Sequence, residues 1–342
     1  MARRFLWASL ALTPVALVAR FALHAGATTL FLLSALALVP LAWLIGEATE
    51  HAAEHTGHGV GGFLNASFGN APELIIGLFA IGDGLPNVVR GTIAGSVVSN
   101  ILLVLGLAMI AGGEGKVDTR SLRLQLAAVF GAVLLLLVPS VPRWAGGPSR
   151  HSLYLVSLPI AALLLCAYVA ITIHNLRIHR NAERGEADAG AWSMKKALTA
   201  LALATAATAL VSEVLVHSLE DFSHAAGIGE FFIAIVIVAI VGNAAEHGGA
   251  VVIARRGNTQ LATEIAITSS MQVAVFVAPA LALLSLLVGP GLPLSFRVPE
   301  IVTMGAAAAF AALVVADGRS RRWEGFLLVA VYGVFVIWYA LA

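Results

Sequence analysis

Mostly apolar stretches follow one another along the chain, separated by short polar segments, at residues 5–25, 28–48, 60–81, 91–111, 124–141, 152–173, 197–217, 231–254, 261–287, 298–316 and 326–342. A helix needs about 20 apolar residues to cross the hydrocarbon core, and each stretch is of that order. The pattern predicts an all-α integral membrane protein with eleven transmembrane helices.

Composition agrees. Apolar residues make up 59% of the chain and charged residues 11%, against roughly 25% charged in an ordinary soluble domain. So few charges cannot cover a soluble surface, and at a net charge of +1 the expected surroundings are a lipid bilayer and not nucleic acid. The single cysteine, Cys166, falls inside an apolar stretch and excludes a disulfide framework. No cofactor is expected. At the N-terminus, Arg3, Arg4, an apolar run and the small residues Ala25 to Ala27 imitate a secretory signal. Arg20 interrupts that run, and a retained first helix makes the loop charges consistent.

With a cytoplasmic N-terminus, the inner segments hold Arg3, Arg4, Lys116, Arg120, Arg123, Arg177, Arg180, Arg184, Lys195, Lys196, Arg255, Arg256, Arg319, Arg321 and Arg322. The outer loops hold only Arg90, Arg143, Arg150 and Arg297, with Arg20 near the outer end of the first helix. The positive-inside bias therefore starts the chain in the cytoplasm and ends it outside. Absent any organelle address, a bacterial plasma membrane is expected. The longest inner loop, 174–196, mixes Glu183, Glu186 and Asp188 with basic residues and reads as a solvated linker.

A shift of 173 residues lays Gly69, Asn70, Ala71 and Glu73 on Gly242, Asn243, Ala244 and Glu246. It also places Ser96 on Ser269, Ser99 on Gln272, Glu47 on Glu220 and His51 on His224. Polar coincidences inside apolar stretches indicate an internal repeat. Five spans per copy is an odd number, so the second copy lies upside down, the arrangement in which transporters build ion sites between repeats. The predicted organisation is an extra N-terminal helix (1–27), a first five-helix repeat (28–178), a linker (179–196) and an inverted second repeat (197–342).

Glu73 and Glu246 fall near the middles of their stretches, where an ionised carboxylate costs about 2.5 to 3.5 kcal/mol. One such residue suits a protonated or hydrogen-bonded structural role; two at equivalent places ask for a functional one. The preceding glycine and asparagine, with Pro72 in the first copy, predict interrupted helices whose freed carbonyls face an ion. Ser96 and Ser99, like Ser269 and Gln272, are three apart on one helix face, able to add oxygens or merely to tighten packing. Hard oxygen ligands with two carboxylates suit calcium. Two carboxylates also neutralise either one divalent cation or two protons but not both at once, which is the logic of exchange.

The segments GNAPELIIGLFAI with GSVVSNILLVLG, and GNAAEHGGAVVIA with SSMQVAVFVAP, closely resemble the paired alpha repeats of calcium/proton antiporters of the CAX family, within the calcium/cation antiporter superfamily. The resemblance runs over nearly the whole chain. It implies a transporter, not an enzyme, that exchanges calcium for protons by alternating access. It assigns Glu73 and Glu246 to shared calcium and proton binding, with Asn70, Asn243, Ser96, Ser99, Ser269 and Gln272 nearby. Glu50 and Glu213 resemble the family's acidic positions near opposite mouths of the pathway, where they relay protons or attract cations if they are more than solvated helix ends. His247 matches the family's GNAAEH and either orients Glu246, responds to pH or packs. Pro72 stands where a threonine is usual, and the weak acidic stretch between the halves puts calcium regulation through that loop in doubt.

Two other readings compete. His51, Glu54 and His55 spell HxxEH, the inverted zinc-protease motif, with His58 as a further ligand; the bland alternative is a polar interfacial helix end, and the second repeat keeps only His224. Sodium/calcium exchange on the same fold would want an additional carboxylate, where Gln272 and neutral serines stand.

Overall fold

A computed structural model describes the backbone of residues 2–146, 150–179 and 192–341, and within them the side chains of 4–56, 67–146, 151–173 and 192–341. Most of the linker, 180–191, and the side chain of His58 lie outside the described residues. The described chain is mainly helical, and its strands among the described residues are one antiparallel two-residue pairing, Gly115–Lys116 with Arg319–Ser320. Among the described residues nine helices are long and apolar enough to cross a membrane; the bent pair Glu230–Gly242 and Ala244–Arg255 makes ten.

The count falls short of eleven because the expected loop between stretches 28–48 and 60–81 is absent. The backbone runs as one helix, Ala27–Gly69, of 43 residues, about 65 Å at 1.5 Å per residue. Residues 47–56 interrupt the apolar pattern, yet they contain neither Pro nor Gly and are mostly good helix formers. Glu47 and Glu54 also flank His51 one turn either way, at 3.6 and 3.7 Å. A polar break is therefore not a helix break. The remainder of the expected third span is a short helix, Ala71–Gly82. The first stretch, conversely, divides into Ala2–Ser9 and Leu12–Phe21.

The element boundaries repeat at the offset seen in the sequence. Ala71–Gly82 and Ala244–Arg255 start and end 173 residues apart, as do Pro86–Ser99 and Thr259–Gln272. The π-helical turns that follow, Asn100–Val104 and Val273–Val277, obey the same offset. Such turns frequently mark functional positions in helices, and their recurrence at equivalent places is a property of the repeat.

The chain forms two compact units, one comprising 1–79, 166–227 and 241–245, the other 80–165, 228–240 and 246–342. In the first, the Ala27–Gly69 and Met194–Ala226 helices lie antiparallel. Phe31 stacks on Phe222 at 4.2 Å near one end, while Ile45, Ala48 and Ala52 pack with Ala197, Leu201 and Ala204 toward the other. The end of the linker belongs to this core and is not solvated as expected. Trp192 is 7% exposed, stacked on His51 at 4.8 Å and beneath the Lys196 ammonium at 4.4 Å.

In the second unit, glycines let backbones touch. A Cβ at Gly95 would collide with the carbonyl oxygen of Ile235, and one at Gly325 would lie 2.6 Å from the carbonyl of Gly106. Small residues at such crossings are how helices pack closely where lipid supplies no hydrophobic drive. The stretch 291–297 is non-helical and buried from Leu292 to Phe296, so the amides there must find partners. They do so in alternation: Leu292, Leu294 and Phe296 donate to the hydroxyls of Ser285, Ser157 and Ser140, each at 2.9 Å. Each serine in turn donates to a carbonyl of its own helix.

Candidate functional site

Both helix breaks fall where glycine and asparagine predicted them. The Ala27–Gly69 helix ends at Asn70, whose carbonyl accepts the first bond of the next helix from Leu74. Pro72 is thus in a first turn, where its missing amide proton costs nothing, and not in a helix interior. In the second copy the chain turns by 55° at Asn243. Glu73 and Glu246 each occupy the first turn of the helix after the break, where the positive end of the helix dipole favours a carboxylate.

In the first unit, Asn70, Glu73 and Asn243 are all buried, at 1%, 3% and 0% exposure. The Glu73 side chain runs past Gly242, at whose Cβ position a methyl group would stand 3.4 Å from Cγ and 3.7 Å from Cδ. A break in one repeat therefore makes room for the carboxylate of the other. Glu50 is exposed and Glu213 partly buried, on the two long helices of this unit; the Glu213 carbonyl accepts a bond from His217 at 3.0 Å.

In the second unit, Glu246 is partly buried, and its Oε2 has no hydrogen-bond partner among the described residues; the same holds for His247 Nε2. A sealed carboxylate oxygen without a donor is costly unless it is protonated or meets a cation. The helices carrying the serines cross here at equivalent positions: Ser270 Oγ donates to the Val97 carbonyl at 3.0 Å, between residues 173 apart. Asn100 Nδ2 donates to Ser269 Oγ at 3.1 Å, and Ser99 Oγ turns back to the Ser96 carbonyl. Ser96, Ser99 and Ser269 are buried, and Gln272 is partly exposed.

Asn100 and Ser270 stand among the polar residues of the same segments, GSVVSNILLVLG and SSMQVAVFVAP, but outside the site set that the resemblance assigns; Asn100 is 0% exposed and bonds a residue of that set. The available signal was a polar residue four positions after Ser96, one turn along the same face. Arg90, counted among outer-loop charges, is instead 5% exposed inside the Pro86–Ser99 helix. The HxxEH rings are engaged with the linker end: His55 Nε2 lies 2.6 Å from the Trp192 carbonyl, and His51 stacks on the Trp192 ring.

Residues 26–177 and 196–341 match the family described as sodium/calcium exchanger protein. The Ca(2+)/H(+) antiporter ChaA of Bacillus subtilis is 36% identical over 332 residues, covering 93% of this chain and 94% of that protein. The Ca(2+)/H(+) antiporter of Aphanothece halophytica is 34% identical over 93% of this chain and 91% of its own length. Among solved structures, native YfkE matches with a TM-score of 0.85 at 33% identity, over 98% of this chain and 99% of that one. These helices, breaks and matches identify the chain as an integral membrane transporter, and no enzyme, belonging to the sodium/calcium exchanger family and to its calcium/proton antiporter (CAX) branch.

Proposed function

We propose that this protein exchanges calcium for protons by alternating access, with Glu73 and Glu246 each binding calcium and protons in turn. The observation that carries this reading is the repeated break: at equivalent positions, a helix ends on Asn70 or Asn243, and the next begins with a glutamate in its first turn. A carboxylate there is held at a helix N-terminus in an otherwise apolar span, stable enough to exist and costly enough to demand a cation or a proton. Asn70, Asn243, Ser96, Ser99, Ser269 and Gln272 supply further oxygens. Glu50, Glu213 and His247 serve proton transfer or gating. The relatives' names support the same pair of ions.

The coincident element boundaries support two repeats, 28–178 and 197–342, of opposite orientation after an extra first helix, joined by a linker at 179–196. In this reading there are eleven crossings of a bacterial plasma membrane, the N-terminus is cytoplasmic and the C-terminus outside.

The test is calcium uptake into sodium-free proteoliposomes under an imposed pH gradient. The unaltered protein is expected to accumulate calcium, and Glu73→Gln and Glu246→Gln each to lose uptake, by more than about tenfold, which is about 1.4 kcal/mol of lost interaction. Uptake that needs a sodium gradient instead would replace the proton as coupling ion; full uptake by both variants would remove the glutamates from the site.

A further inference from the structure

In the second unit, one helix carries a polar row that the paired glutamates do not account for. Within Thr259–Gln272, the residues Gln260, Glu264, Thr268 and Gln272 follow one another at intervals of four. They lie along one side of the helix, about 18 Å from first to last at 1.5 Å per residue. All four are partly exposed, whereas Ala262, Thr263, Ala266 and Ile267 between them are buried. Glu264 is the only acid in this helix, which opens the apolar span Thr259–Val288. An acid and three polar groups in such a span are costly against lipid and belong against protein and water. The row meets the Thr119–Trp144 helix: Gln260 Oε1 accepts the Asp118 amide at 2.5 Å, and Thr268 Oγ1 donates to Gln125 Oε1 at 2.6 Å. With its oxygen committed to that amide, Gln260 turns its Nε2 onto Glu264 Oε1 at 2.5 Å, while Gln125 Nε2 donates to Ser121 Oγ at 3.2 Å.

The equivalent row in the first copy, 173 residues earlier, is Asn87, Gly91, Gly95 and Ser99. There the face is sealed. A Cβ at Gly91 would stand 3.1 Å from that of Ala234, and Gly95 has no room for one against the Ile235 carbonyl. Glutamate and threonine at the two corresponding places forbid so close an approach, so the copies are unequal on this face. The polar version starts at the end of the unit where Lys116, Arg120, Arg255 and Arg256 are exposed. A cation arriving through that basic surface is repelled unless a local carboxylate offsets the repulsion. Glu264 stands one turn inside it, and the row ends on Gln272, one of the site oxygens proposed above.

We propose that this row is the water-lined approach by which calcium reaches the Glu246 site from the basic face, with Glu264 as the carboxylate that recruits the cation. The proposal rests on the calcium-exchange reading, and its test separates the two. Calcium transport under a pH gradient is measured in membrane vesicles of both orientations, in sodium-free choline chloride, for the unaltered protein, Glu264→Gln and Glu264→Asp. Glu264→Gln is expected to raise the half-saturating calcium concentration about threefold or more where calcium meets the basic face, and not where it meets the other. The difference should be largest at about 0.01 M ionic strength, where charges act over about 30 Å, and nearly vanish at about 1 M. Glu264→Asp, which keeps the charge, should behave as the unaltered protein. A rise of equal size at both faces, a rise indifferent to salt, or no rise overturns the proposal while leaving calcium exchange in place. No calcium movement by the unaltered protein would remove both. Independently of transport, Thr268→Cys in a Cys166→Ala background should react from the basic face faster with cationic aminoethyl methanethiosulfonate than with its anionic sulfonatoethyl counterpart. Adding Glu264→Gln should reduce that preference about threefold. If neither reagent reaches position 268, the water-lined approach is overturned.

Discussion

Glu73 and Glu246 were legible in the sequence because an acid in an apolar span carries a cost that nothing local offsets, and because the cost is incurred twice at one spacing. Gly242 was legible only as a helix breaker; its second role, leaving space for the Glu73 side chain, needs the fold. Gly242→Val is therefore expected to act through Glu73: two added methyl carbons beyond a Cβ already 3.4 Å from Glu73 Cγ must displace the carboxylate. Initial rates in proteoliposomes should show the half-saturating calcium concentration raised about tenfold or more, whereas a variant with merely reduced folded yield would keep it unchanged. Ser270→Ala offers the contrast. It removes the donor to the Val97 carbonyl in a buried crossing and is expected to cost about 1 kcal/mol of stability, read as a lowered unfolding temperature with half-saturation preserved. The sequence could not sort Asn100 and Ser270 from the other polar residues of these helices, because a serine or asparagine in a membrane helix has the same signature whether it faces an ion, its own backbone or a neighbouring helix.

Helix cores were legible as apolar stretches, and the breaks at Asn70 and Asn243 as Gly-Asn pairs. The loop placed before residue 60 was wrong because polarity was taken for interruption: Glu47 to Thr56 contain neither proline nor glycine, and the helix continues through Gly57 and Gly59. Gly289, Pro290, Gly291 and Pro293 mark 290–297 as non-helical, but nothing in the pattern announces that it is buried, because two of the three serines that bond it are distant in sequence. That serine ladder makes a quantitative prediction. Ser157→Ala removes the acceptor for the Leu294 amide at a site where both groups are buried, so an orphaned donor should cost about 1 to 3 kcal/mol. Thermal unfolding should show this loss. If Ser157→Ala were neutral, the segment would have found water or another acceptor, and hydrogen exchange at Leu294 would show the amide unprotected.

For the whole molecule, the number of crossings decides which side each loop faces, and it is here that the 43-residue helix matters. If Ala27–Gly69 and Ala71–Gly82 together supply two crossings, position 4 lies inside, 145 outside and 256 inside. If they supply one, 4 and 145 share a side, whereas 145 and 256 remain opposed because the intervening helices are unchanged. Arg4, Ala145 and Arg256 are all exposed, so single cysteines at these places in a Cys166→Ala background separate the two cases with a membrane-impermeant thiol reagent on intact cells. The expected outcome is labelling at 145 without permeabilisation, and at 4 and 256 only after it. Labelling of 4 and 145 together would make the long helix a single span and move the N-terminus to the other side, while the two copies stay inverted, since the helices between Glu73 and Glu246 are the same in both cases. Two sites of like orientation cannot exchange roles when the protein inverts, so the inverted repeat, and with it the symmetric use of the two glutamates, depends instead on 145 and 256 lying on opposite sides.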